Sequence, residues 1–212
     1  MSITFFARCS VLLLASLLAS LGLLTNCKKV CDNEDAPTYA PTQGESEWSK
    51  AFVKNDVWRF RNAKGYVRTY RVSRAETLSQ GGGGGKVSLC STYFIKYFVA
   101  DLVREDSAAH PLEKIFRFQM GPANATTNKP ATANAFLRGS DFSLPIDQVE
   151  DGRLALGPAT FGGRTYPAVL QGAYNSVALP APRPTNAKRV FFTKAEGLVR
   201  VEEFGGTVWN RL

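Results

Sequence analysis

The chain has 212 residues, with 26 Lys and Arg against 18 Asp and Glu, a single histidine and four cysteines, for a formal net charge of +8. One histidine excludes any site that needs two imidazoles, and the length accommodates one sizeable domain behind an N-terminal leader. The basic balance favours anionic partners such as lipid headgroups, lipopolysaccharide phosphates or acidic glycans.

In chain order, the first feature is VLLLASLLASLGLL, from Val11 to Leu24, behind a head whose only side-chain charge is Arg8. As a helix it spans about 21 Å at ~1.5 Å per residue, short of a ~30 Å hydrocarbon core, so it predicts a signal-peptide h-region and not a membrane span. No small-residue A-x-A cleavage site follows. Instead Leu24, Thr25, Asn26 and Cys27 stand in the order of a bacterial lipobox. That resemblance implies that residues 1–26 are a lipoprotein signal peptide and that Cys27 becomes the acylated N-terminus. Two or three acyl chains, palmitate among them, then make attachment effectively permanent. Asn26 departs from the Gly, Ala or Ser usual at its position, and a plain signal peptide with an incidental cysteine is the alternative.

The next stretch, KKVCDNEDAPTYAPTQGESE, is polar, carries Pro37 and Pro41, and has no apolar period. It predicts a flexible linker over residues 27–46. Its order of Lys28 and Lys29, then Asp32, Glu34 and Asp35, resembles the tether of outer-membrane lipoproteins from the Bacteroidota. The resemblance implies lipid anchoring in the outer membrane, facing the periplasm or the cell surface. Cys9 leaves with the leader. Cys31 and Cys90 remain: either they pair, contributing ~4 kcal/mol in the chain-entropy view, or they stay a linker thiol and a buried strand thiol.

From residue 47 to 212 the pattern predicts a single antiparallel β domain with a short N-terminal helix. EWSKAFV forms a turn or two of helix with Trp48, Ala51 and Phe52 on one face. VWRFRN alternates, Trp58 and Phe60 on one side and Val57, Arg59 and Arg61 on the other, and Gly65 turns it into YVRTYRVS. The glycines from Gly81 to Gly85 fail as a phosphate loop, with Gln80 at the first glycine position and Val87 where a hydroxyl belongs, and predict a hairpin tip. VSLCSTYFIKYFVADLV, from Val87 to Val103, predicts a long central strand, with a helix from Tyr93 as the alternative. KIFRFQM points Phe116, Phe118 and Met120 inward. GPANATTNKPATANA, residues 121–135, predicts a low-complexity loop. Three shorter apolar pieces follow, RLALG, TYPAVLQGAYNSVAL and KRVFFTK, and LVRVEEF–GG–TVWNRL closes the chain as a hairpin.

Short alternating strands between turn signals predict an all-β fold, as an antiparallel barrel, half-barrel or sandwich. The ending FFTKAEGLVRVEEFGGTVWNRL, Phe191 to Leu212, resembles the C-terminal hairpin of uncharacterised Bacteroidota lipoproteins with half-barrel or calycin-like folds. The resemblance implies fold and address and carries no active residue.

No paired metal-ligand spacing, cofactor motif or nucleophile elbow occurs. The lone His110 stands in a polar loop and reads as an idle surface imidazole. Asp147, Glu150 and Asp151 read as a solvated turn, and Glu202 and Glu203 as solvated carboxylates on opposite sheet faces. Asp106-Ser107-Ala108 matches a minimal O-glycosylation pattern. Arg59, Arg61, Lys64, Arg68, Arg71 and Arg74, interleaved with Tyr66 and Tyr70, predict either a solvated face or an anion-binding one, with Arg59, Arg61, Arg68 and Arg71 as the candidate residues. An envelope address argues against nucleic acid. The expected function is non-enzymatic: a domain that binds a hydrophobic or anionic ligand, or an envelope protein. Trp58, Phe60, Tyr93, Ile95, Phe116 and Phe118 would line the barrel interior, which must then hold a pocket of at least ~300 Å³. An envelope hydrolase acting on glycan or lipid is the alternative, and needs two carboxylates, or a serine with His110, in one cleft.

Overall fold

Alternation at period two dictates most of the architecture. In β2 (Val57–Asn62) Trp58 and Phe60 are buried while Val57, Arg59 and Arg61 face out. In β3 (Val67–Gly82) Arg68, Tyr70 and Val72 share the inward parity. The turn between them closes on Gly65 at φ 84°, a conformation that favours glycine. The structure, a computed structural model, describes residues 36–83, 91–106, 115–122, 131–137, 140–175 and 182–212.

β3 pairs antiparallel with β4 (Tyr93–Arg104) over a long ribbon from Tyr70↔Arg104 to Gly82↔Tyr93. β5 (Ile115–Pro122), β6 (Ala131–Leu137) and β7 (Ser140–Leu144) continue as a meander. A short helix, α2 (Ile146–Glu150), leads to β8 (Gly157–Phe161) and β9 (Arg164–Tyr174). Then come β10 (Ala187–Thr193), β11 (Gly197–Glu203) and β12 (Val208–Arg211). The sheet runs β4-β3-β2-β12-β11-β10-β9-β7-β6-β5, and β5 pairs back onto β4. The curled sheet thus closes its ring of pairings, which removes free edges along that path.

Three expectations are corrected. The segment expected as linker is structured over its second half. There β1 (Thr38–Tyr39) pairs parallel with β4 at Phe94 and Ile95, and α1 (Gln43–Ser46) leads into a 3-10 turn (Glu47–Ser49). The cause is a capping box: Thr42 Oγ1 accepts from the Glu45 N–H, and Glu45 Oε2 accepts from the Thr42 N–H. Next, the stretch expected as a low-complexity loop begins within β5 and ends within β6, with residues 123–130 outside the described residues. In β6 Ala133 and Ala135 face inward opposite Met120 and Phe118, small against large, so weak strand propensity yields to cross-strand packing. Finally, DQVEDG is mostly the helix α2 and not a plain turn. The glycine tip beyond Gly83, Cys27, Cys31, Cys90, His110, Ser107 and Ala108 also lie outside the described residues.

One end of the barrel is plugged by the N-terminal segment. Phe52 stacks on Phe118 at 4.7 Å between ring centroids and lies 5.1 Å from Trp58. Trp48 is buried beside them and its Nε1–H donates to Glu150 Oε1 at 2.7 Å, while Lys194 Nζ donates to both oxygens of that carboxylate, at 2.8 and 2.9 Å. Burial alone would raise the Glu150 carboxyl, but the hydrogen bonds from Lys194 and Trp48 outweigh it and the net shift is downward. A second, smaller cluster of Phe161, Tyr166, Phe191 and Val199 covers part of the sheet from outside, with Arg200 stacked over Phe161 and Phe191.

A candidate binding cleft at the hairpin end

The interior holds no ligand cavity among the described residues. Trp58, Phe60, Phe116 and Phe118 are each at most 2% exposed and belong to one packed core. The gap beneath them, bounded by Phe60, Tyr70, Phe116 and Trp209, measures about 10 Å³, room for a single water. Tyr93 and Ile95 sit half-buried beside β1, where Tyr39 packs edge-on against Tyr93. The predicted six-residue lining is therefore corrected: four members fill the core, and two stand outside it.

The basic cluster also divides. Arg59 and Arg61 point outward and have no ion-pair partner among the described residues. Arg71 is outward too, but its Nε donates to Glu105 Oε1 at 2.6 Å, and Arg74 is paired with Glu76. Arg68 is inward and 8% exposed. Its Nη1 donates to Glu203 Oε1 at 2.7 Å, and its guanidinium lies 3.6 Å from the centroid of the Trp209 ring. The expectation of solvated glutamates is corrected in consequence. Glu202 and Glu203 do occupy opposite faces, yet both are buried: Glu203 by Arg68, Glu202 between Arg189 and Arg200. Likewise Glu150 is committed to Trp48 and Lys194, and Asp147 and Asp151 to Arg153. Asp106 accepts from Arg104 and from the Thr69 N–H; against the cost of burial these bonds hold its carboxyl below the usual range.

What sequence reasoning did not anticipate is an open cleft of about 600 Å³ at the turn end of β2–β3 and β11–β12, bounded by Lys64, Tyr66, Arg68, Thr185, Thr207 and Trp209, among others. Its walls are set by backbone hydrogen bonds. Asn62 Oδ1 accepts from the N–H groups of Lys64 and Tyr66, both at 3.0 Å, which fixes the first turn. The segment 183–186 docks on the second: Phe204 N–H donates to Asn186 O at 3.0 Å and Gly205 N–H to Pro184 O at 2.7 Å. Gly206, at φ 81°, completes that turn. The Arg68–Glu203 pair and the Trp209 ring form the floor and separate the cleft from the small gap inside the barrel. The Trp209 indole N–H is buried without a hydrogen-bond partner among the described residues. Tyr66, 67% exposed, stands at the rim. An adjoining recess of about 270 Å³ contains Arg61, Asn210 and Leu212.

Chemically the cleft offers one exposed aromatic ring, Tyr66, and a rim ammonium, Lys64, above a floor in which the Arg68 guanidinium is taken up by Glu203 and Trp209, without a nucleophile paired to a base. Among the described residues no three His, Cys, Asp or Glu side chains converge as metal ligands. The chain matches no family model, no curated protein and no solved structure.

Proposed function

We propose that this chain is an outer-membrane lipoprotein of the Bacteroidota type, anchored through Cys27. Its barrel is a rigid, non-enzymatic scaffold that presents the hairpin-end cleft to an anionic sugar of the envelope. The observation that carries this reading is the cleft itself: Tyr66, 67% exposed, offers a stacking face at the rim, and Lys64 offers a cation with no acidic partner among the described residues. Aromatic faces suit the apolar side of a sugar ring, and a rim ammonium suits a phosphate, sulfate or carboxylate on it. The filled interior favours this surface site over carriage of a hydrophobic ligand.

Titration of the protein with glucose 1-phosphate and with lipopolysaccharide, followed by tryptophan emission and calorimetry, tests the reading. Saturable binding that Lys64→Gln and Tyr66→Ala each weaken supports it. Absence of saturable binding to either probe, or binding indifferent to both substitutions, overturns it. Labelled palmitate entering the wild-type chain but not Cys27→Ala supports the anchor, and incorporation unchanged by that substitution refutes it.

A further inference from the structure

We infer that the outer face of β2, with its neighbours on β3 and β12, is a surface that lies against an anionic lipid bilayer. This inference rests on Val57, Arg59, Arg61, Val67 and Leu212, none of which bounds the cleft.

Two observations converge on it. The first is where exposed apolar side chains occur. Among the described residues the large ones are Val53, Val57, Tyr66, Val67, Leu212 and Phe136. Three of them, Val57, Val67 and Leu212, lie beside the outward arginines of β2, and Val53 and Tyr66 stand in the turns at its ends. Val53 lies in the turn leading into it, Val57 is its first residue, Val67 faces Arg61 across the β2–β3 ladder, and the Leu212 N–H donates to Arg59 O. Scattered single apolar residues need no explanation, but this concentration on one face does.

The second is the charge set among them. Arg59 and Arg61 stand two residues apart on one strand, about 7 Å, pointing the same way. Neither has an acidic partner among the described residues, and neither do Lys54 and Lys64 on the flanking turns. Arg71, the next outward arginine, is already neutralised by Glu105. Among the described residues the acids near this face are Asp56 and, along β3, Glu105 and Asp106, which are paired with Arg71 and Arg104. Paired cations of this kind repel unless an anion lies over them.

The mixture decides the partner. A soluble polyanion would satisfy the arginines but gain nothing from Val57, Val67 and Leu212 beside them. An anionic bilayer satisfies both, with cations at headgroup level and apolar side chains at the acyl boundary. At about 1 kcal/mol per cation near such a surface, Arg59 and Arg61 alone favour the docked pose roughly 30-fold.

The test uses the full chain mixed with vesicles of phosphatidylcholine alone or of equal parts phosphatidylcholine and phosphatidylglycerol. Phenylglyoxal labelling reports the arginines and hydroxyl-radical labelling reports Val57, Val67 and Leu212, both mapped by peptide mass spectrometry. The expected result is that Arg59 and Arg61 react about 30-fold more slowly on the anionic vesicles only, that Val57, Val67 and Leu212 are shielded with them, and that Arg153 is unchanged. In Arg59→Gln/Arg61→Gln the shielding of the three apolar residues falls away. Equal labelling on both vesicle types overturns the inference. So does protection of the arginines by dextran sulfate that matches or exceeds protection by the anionic vesicles. The sugar titrations of the cleft are read out separately, so failure of one leaves the other standing.

Discussion

Replacing Arg68 by Met tests how the floor of the cleft is held. The side chains of Arg68 and Glu203 are 10% and 4% exposed, they meet at 2.7 Å, and the guanidinium also lies on Trp209. Removing one partner of so buried a pair leaves an uncompensated charge, at a cost of about 3–5 kcal/mol. Replacing both by apolar residues removes the charge and the need for it together, which is often close to neutral. The expected outcome is therefore strongly non-additive. Arg68→Met and Glu203→Leu each lower Tm by roughly 6–20 °C, taking about 2–4 °C per kcal/mol for a domain of this size, while the double variant regains most of the loss. Thermal unfolding by circular dichroism on the wild type, both single variants and the double variant completes the cycle. A double variant as unstable as the sum of the singles would show that the pair is not coupled and refute the reasoning.

Two further outcomes follow from local geometry. Gly197 opens β11 at φ 69°, and a Cβ there would sit 2.6 Å from Trp58 Cη2. Gly197→Ala combines backbone strain with a clash in the core and is expected to cost about 2–4 kcal/mol by guanidinium titration; a cost below ~0.5 kcal/mol would contradict that geometry. The Glu150 carboxyl, lowered by Lys194 and Trp48 against the effect of burial, contributes stability that is present above its unfolded pKa of about 4.3 and lost as pH falls through the lower folded value. Glu150→Gln should therefore be less stable than wild type at neutral pH, with the difference shrinking in acid. Denaturant midpoints that keep a constant gap down to about pH 3 would argue against the assignment.

What was legible in the chain was local. Trp58 and Phe60 against Arg59 and Arg61 announced a half-buried strand, because period two is a property of the strand alone. Gly65 and Gly206 marked the turns that need a left-handed backbone. The Thr42–Glu45 capping box was written just as locally, though the prolines before it drew the reading toward a linker. Even the inward course of Arg68 was encoded, since it shares parity with Tyr70 and Val72.

The rest was decided at long range. Arg68 is acceptable inside only because Glu203, 135 residues away, arrives on a neighbouring face of the ring. β6 is a strand because β5 and β7 lie on either side of it and its alanines leave room for Phe118 and Met120. Whether Trp58, Phe60, Phe116 and Phe118 surround a pocket or fill a core depends on the volume enclosed when the sheet closes and the segment carrying Trp48 and Phe52 enters it, a quantity no stretch of sequence contains. The cleft, likewise, exists where two turns and the segment 183–186 meet in space, and its shape comes from hydrogen bonds between residues whose separation in the chain gave no sign of them.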